Sequence, residues 1–150
     1  MTLESLKVLQ NLERICSTSE KCSNDVLKYI AKCGLTQEES ELILNSLQSA
    51  KYIDEERYIT AFIRDKYRFS KWGKYKIEQA LFLKKMNKQL VAKILSEQLG
   101  NEYKAMVLDE LNKHRKKLKD TDPWIIKGKM ARFASQRGYE LASIESITNE

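Results

Sequence analysis

The sequence predicts an all-α fold of three tandem three-helix repeats stacked into an elongated, curved array, and two observations carry that reading. Five glycines and one proline, Pro123, are too little turn chemistry for a set of strands, whereas Leu, Lys, Glu, Gln and Ala fill long stretches with helical periodicity. One apolar phrase also recurs three times: Val26, Ile30, Gly34 and Leu35; Ile77, Leu81, Lys85 and Met86; Met130, Ala134, Gly138 and Tyr139. The copies are spaced by 51 and then 53 residues, and an aliphatic residue follows each by eight positions, at Ile43, Ile94 and Ile147. A unit of this size buries little apolar area alone, so neighbouring copies must stack.

The first repeat spans 1–50, with helices expected over 3–16, 24–33 and 37–50. Ser23 or Asn24 caps the second of these, and Thr36 followed by Glu39 forms a capping box at the third. The second repeat spans 51–100, with helices over 54–70, 74–85 and 87–99; Asp54, Glu55 and Glu56 sit at the positive end of its first helix. The third spans 101–150, with helices over 102–119, 123–137 and 140–148. Asp122 before Pro123 starts its second helix with proline at the first helical position. Gly34, Gly100 and Gly138 are expected to end helices in the left-handed conformation.

Composition excludes several classes. The chain is 42% hydrophobic and 32% charged, no apolar run approaches the ~20 residues that cross a bilayer, and MTLESLKVLQ lacks the pattern of a signal peptide. A cytoplasmic protein is expected. Cys16, Cys22 and Cys33 contain no CxxC pair, and with His114 as the lone histidine they do not complete a zinc set, so reduced, buried thiols are expected. Phosphate loop, nucleophile elbow and histidine-based triad are all missing. No catalytic, cofactor or metal residue is assigned, and the protein reads as a non-enzyme.

Charge is concentrated in the middle. The formal net charge of +6 divides as −2, +6 and +2 over successive fifties, and residues 64–93 carry ten cations against Asp65 and Glu78. Such a field favours an anionic partner, nucleic acid or an acidic protein surface, over a neutral one; a solvated face kept for solubility is the plainer alternative. The thirty residues YIDEERYITAFIRDKYRFSKWGKYKIEQAL, 52–81, hold seven of the thirteen aromatic residues and seven cations. On a helix from Asp54, the residues Arg57, Arg64, Arg68 and Lys71 fall within about 60° of arc. Tyr58, Phe62 and Phe69 take another stripe and read as core, while Trp72 either covers a gap between helices or stands exposed as an anchor. Farther on, His114 is expected to pack between repeats, and the run HRKKLK complements the C-terminal dipole of its helix.

This segment resembles the central repeat of the RecX family of recombination regulators: aromatic, aliphatic, two acids, an Arg-aromatic pair, then a basic residue, glycine and a helix of the form I-x-x-x-L. GKMARFASQRGYELASI, 128–144, is similar to the family's third-repeat phrase, and SEKCSNDVLKYIAKCGLTQEESELILNSL, 19–47, to its opening unit. Two departures stand out: Lys85 where the family usually has glycine, which leaves the geometry of that turn open, and Ala134 where leucine is common.

The resemblance implies a protein that binds the RecA filament on single-stranded DNA and damps strand exchange and ATP hydrolysis. Weak direct DNA binding, no membrane and a monomeric state complete that expectation. The expected contact surface is Arg57, Arg64, Arg68, Lys71, Lys74 and Lys76 with Trp72 and Tyr75, extended by Lys84, Lys85 and Lys88. Lys127, Lys129, Arg132 and Arg137 form a second cationic set. Two rival readings are a helix-turn-helix regulator that binds duplex DNA directly and a helical adaptor for another acidic protein.

Overall fold

The computed structural model describes residues 1–148, the side chain of Thr148 excepted, so the last two positions of the third expected repeat lie outside the described residues. Among them run nine helices and no strand: α1 (Leu3–Thr18), α2 (Ser23–Ala31), α3 (Gln37–Ser49), α4 (Glu55–Arg68), α5 (Lys74–Leu83), α6 (Lys88–Gln98), α7 (Asn101–Lys117), α8 (Pro123–Arg137) and α9 (Ala142–Thr148). The helices form three successive triplets, each anchored by the repeated apolar phrase. Val26, Ile30, Ile77, Leu81, Met130 and Ala134 are all essentially buried.

Local chemistry explains the helix ends. Thr36 and Glu39 form the expected reciprocal capping box, and Asp54 accepts the Arg57 amide at 3.0 Å. Asn87 accepts the Leu90 amide at 3.0 Å, and Asp122 accepts that of Trp124 at 2.9 Å beside Pro123. Each such cap is typically worth ~1 kcal/mol. At α2 the cap is Cys22 rather than Ser23 or Asn24: Ser23 is already helical, and the Cys22 amide donates to the Asp25 carboxylate at 3.4 Å.

Gly34 and Gly138 are left-handed, with φ of 71° and 84°, but Gly100 has φ of −99° and caps the start of α7 instead of ending α6. Lys85 takes the conformation expected of the family's glycine, at φ 61°. Its turn closes with Lys85 N–H to Phe82 O at 3.0 Å and Met86 N–H to Leu81 O at 3.3 Å. Gly138 repeats this pattern with Ser135 and Ala134. The turn is therefore conserved in shape between the second and third triplets although the residue differs.

Among the described residues the apolar side chains gather into two cores rather than three. Leu9, Leu12 and Cys16 of α1, Val26 and Ile30 of α2, Ile43 and Leu47 of α3, and Ile53 form the first. The second is continuous from α4 to α9, joining Ile59, Ile63, Tyr67, Ile77 and Ile94 to Tyr103, Leu111, Met130 and Tyr139. Cys22, at the start of α2, packs into this second core.

Three expectations about side chains are corrected. Phe69 lies past the last turn of α4 and is 79% exposed, because the helix stops before the apolar stripe reaches it. Cys33 is exposed, while Cys16 and Cys22 are buried free thiols. His114 lies on α7 and stacks on Phe133 of α8, centroids 4.0 Å apart and planes 3° from parallel, so it packs inside the third triplet and not between repeats. Among the described residues no helix is long and apolar enough to cross a membrane.

Candidate partner-binding surface

The arginine face of α4 exists, and its side chains tie the array together. Arg57 pairs with Glu20 at 2.6 Å and donates to the Lys51 carbonyl at 2.9 Å, joining α4 to the α1–α2 loop. One turn-pair later, Arg64 donates to the Gln98 side chain at 2.8 Å, at the end of α6. Arg68 grips Glu102 of α7 with two hydrogen bonds, 2.9 and 3.0 Å. That bidentate contact lowers the Glu102 pKa below the ordinary carboxylate range and raises that of Arg68. All three remain exposed to solvent, but their guanidinium groups already have acceptors.

Beyond α4 the chain turns sharply, with Lys71 left-handed at φ 60°, and builds a cationic cluster around Trp72. Trp72 is half-buried against the core, and Lys66 and Lys76 place their ammonium groups 4.6 and 4.7 Å from its ring. The indole thus covers the gap and holds two cations at the surface together. The turn is fixed by the third triplet. Gly73 N–H donates to Arg137 O at 2.6 Å, Tyr75 N–H to Gly138 O at 3.0 Å, and the Tyr139 hydroxyl to Lys71 O at 2.5 Å. The Tyr103 hydroxyl accepts the Lys74 amide at 2.9 Å and donates to Glu140 at 2.7 Å. A methyl group on Gly73 would overlap the Gly138 carbonyl and the Tyr139 nitrogen, which is why glycine stands there.

The remaining expected residues divide. Tyr75 is exposed at 55%, with Lys74 Nζ 5.9 Å from its ring, and Lys88 Nζ lies 4.7 Å from the Phe82 ring. Lys85 is exposed at its turn. Lys84 leaves the surface set, because it pairs with Asp25 at 3.0 Å across the seam between the first and second triplets. Burial opposes both charges there, but the hydrogen bonds win: the Lys84 pKa rises and the Asp25 pKa falls. Tyr58 beside them is pushed up to about 12, mainly by burial. These groups line a cleft of about 850 Å³ between α1–α2 and α4.

The second set is scattered by its pairing. Lys129 binds Asp120 at 2.7 Å, and Arg137 faces Glu110 at 3.7 Å while covering the Phe133 ring at 5.0 Å. Lys127 and Arg132 are exposed and make no ion pair among the described residues.

Sequence reasoning missed the acceptors Glu20, Gln98 and Glu102, because nothing in a linear charge count marks residues 34 to 37 positions away as partners. It also missed the exposed apolar side chains Phe82, Leu83 and Trp124, the last 82% exposed at the start of α8. Helical spacing marks Phe82 and Leu83 as lying off the Ile77–Leu81 stripe, so that signal was available. Among the described residues no group of three or more metal-type ligands occurs.

Residues 54–95, which contain the arginine face, Trp72 and all of α5, match the family model for the second three-helix domain of RecX. Regulatory protein RecX from Clostridium botulinum (strain Alaska E43 / Type E3) is 24% identical over 159 residues, covering 98% of this chain and 74% of that relative. A crystal structure of regulatory protein RecX superposes with a TM-score of 0.85 at 18% identity, covering 98% of this chain and 74% of the other. RecX from Lactobacillus salivarius does so at 0.85 and 14% identity, covering 97% and 95%. The resemblance to RecX regulatory proteins and the all-helical repeat fold are therefore borne out.

Proposed function

We propose that this chain, which carries the RecX second three-helix domain at 54–95 and resembles RecX proteins along nearly its whole length, regulates the RecA recombinase. It binds the RecA filament on single-stranded DNA and slows strand exchange and ATP hydrolysis. It acts as a cytoplasmic monomer without catalysis of its own.

The observation that carries this reading is the Lys66–Trp72–Lys76 cluster within the matched domain. Its ammonium groups make no ion pair among the described residues, and Lys71 and Lys74 flank Trp72 in sequence, whereas the arginines of α4 are engaged internally. The proposed contact surface centres on the turn after α4 and the start of α5.

The test is a titration into RecA-coated single-stranded DNA while ATP hydrolysis is followed, with bare DNA as control. Inhibition at stoichiometric protein supports the reading, and an unchanged hydrolysis rate removes it. On the bare single strand, a salt series counts the phosphates touched, at about 0.7 in the log–log slope per contact.

A further inference from the structure

The core face of α5 is made by Ile77 and Leu81, both fully buried. Its other large apolar side chains point outward: Tyr75 and Phe82 are each 55% exposed and Leu83 is 70% exposed. Tyr75 and Phe82 are seven residues apart, which sets them on one stripe about 10.5 Å apart along the helix. Beside them, between α5 and α6, lies a depression of about 420 Å³ that also touches the nearly buried Met86 and Val91. Lys88 lines it with its ammonium group over the Phe82 ring, and Lys74, outside the depression, lies by the ring of Tyr75. Neither lysine makes an ion pair among the described residues.

We propose that this groove docks an acidic amphipathic helix of a partner protein. The inference rests on the filament reading above and deepens it by assigning protein, not DNA, to this face. Two aromatic anchors one heptad apart match the spacing with which a helix presents apolar side chains to a groove. Met86 and Val91 offer the apolar floor on which a leucine or phenylalanine loses water. A lysine beside each aromatic anchor suits carboxylates flanking the partner's apolar stripe. Glu78, which also lines the depression, requires an amide or a cation at the point of the partner helix that meets it, and the apolar floor of Met86 and Val91 offers a phosphate chain nothing.

The test compares wild type with Phe82→Ala and Tyr75→Ala, both at exposed positions, with circular dichroism to confirm the fold. Binding is measured to RecA-coated single-stranded DNA, to bare oligo(dT), and to a labelled acidic amphipathic peptide with a scrambled control. Loss of an aromatic anchor is expected to weaken filament binding about tenfold while oligo(dT) binding holds. Unchanged filament binding, or an equal loss on oligo(dT), overturns the groove and leaves the filament reading standing. Should wild type not bind the filament, that reading falls and the peptide decides the groove. Preference for the ordered peptide that Phe82→Ala abolishes then supports it, and its absence overturns it.

Discussion

Gly73 donates its amide to the Arg137 carbonyl at 2.6 Å, so the start of α5 is fastened to the end of α8 by backbone. Side-chain pairing alone makes a joint that salt can loosen; this one depends on two backbone segments approaching more closely than any side chain allows. It lies where the second and third triplets share one core, while the first keeps a core of its own and sends Cys22 into the shared one.

Gly73→Ala is expected to cost about 3 kcal/mol or more, the upper end of overpacking penalties, because the new methyl meets backbone that cannot turn aside. Gly128→Ala is the control. It lies in α8 with nothing near its missing side chain, and there alanine should add about 0.5–1 kcal/mol. Urea denaturation of the two variants reads the difference directly.

Lys85→Gly should stabilise the protein by about 0.5–1 kcal/mol. The left-handed backbone costs a side-chain-bearing residue roughly 1–2 kcal/mol, partly offset by the greater freedom of glycine when unfolded. A melting temperature below that of wild type would show that Lys85 makes a compensating contact.

His114 is expected to add a pH dependence to the third triplet. Burial first, then Lys117 and Arg137, lower its pKa from 6.5, so the unfolded chain takes up the proton before the folded one does. The neutral stack on Phe133 therefore stabilises fully above pH 6.5 and loses its contribution as pH falls through the lowered pKa. Thermal melts of His114→Phe should lose less stability than wild type between pH 7 and pH 5; parallel losses would reject the assignment.

Charge reversal separates binding cations from structural ones. Arg68→Glu sets two carboxylates against each other at Glu102 and should loosen the α4–α7 contact, lowering the melting temperature before any partner is added. Lys66→Gln with Lys76→Gln should leave the melt near that of wild type, since both ammonium groups lie at the protein surface over Trp72. Their effect should appear in filament binding and in a shallower salt dependence.

The helices, most of their caps and the threefold phrase were legible in the chain because they depend on contacts three to five residues apart. Thr36 with Glu39, Asp122 with Pro123, and the paired stripe Ile77–Leu81 needed no knowledge of the rest of the molecule. The cationic arc of Arg57, Arg64 and Arg68 was equally legible as a face of α4. Its use was not, because Glu20, Gln98 and Glu102 reach it only after the triplets dock. Phe69 fits the core pattern but falls one residue past the helix, where the periodicity that placed it no longer applies. By itself, then, the sequence determined the helices, their repetition and the family they resemble. Tertiary structure alone decided which cations remain available and which apolar side chains face solvent, since pairing and burial belong to surfaces that meet only in the folded chain.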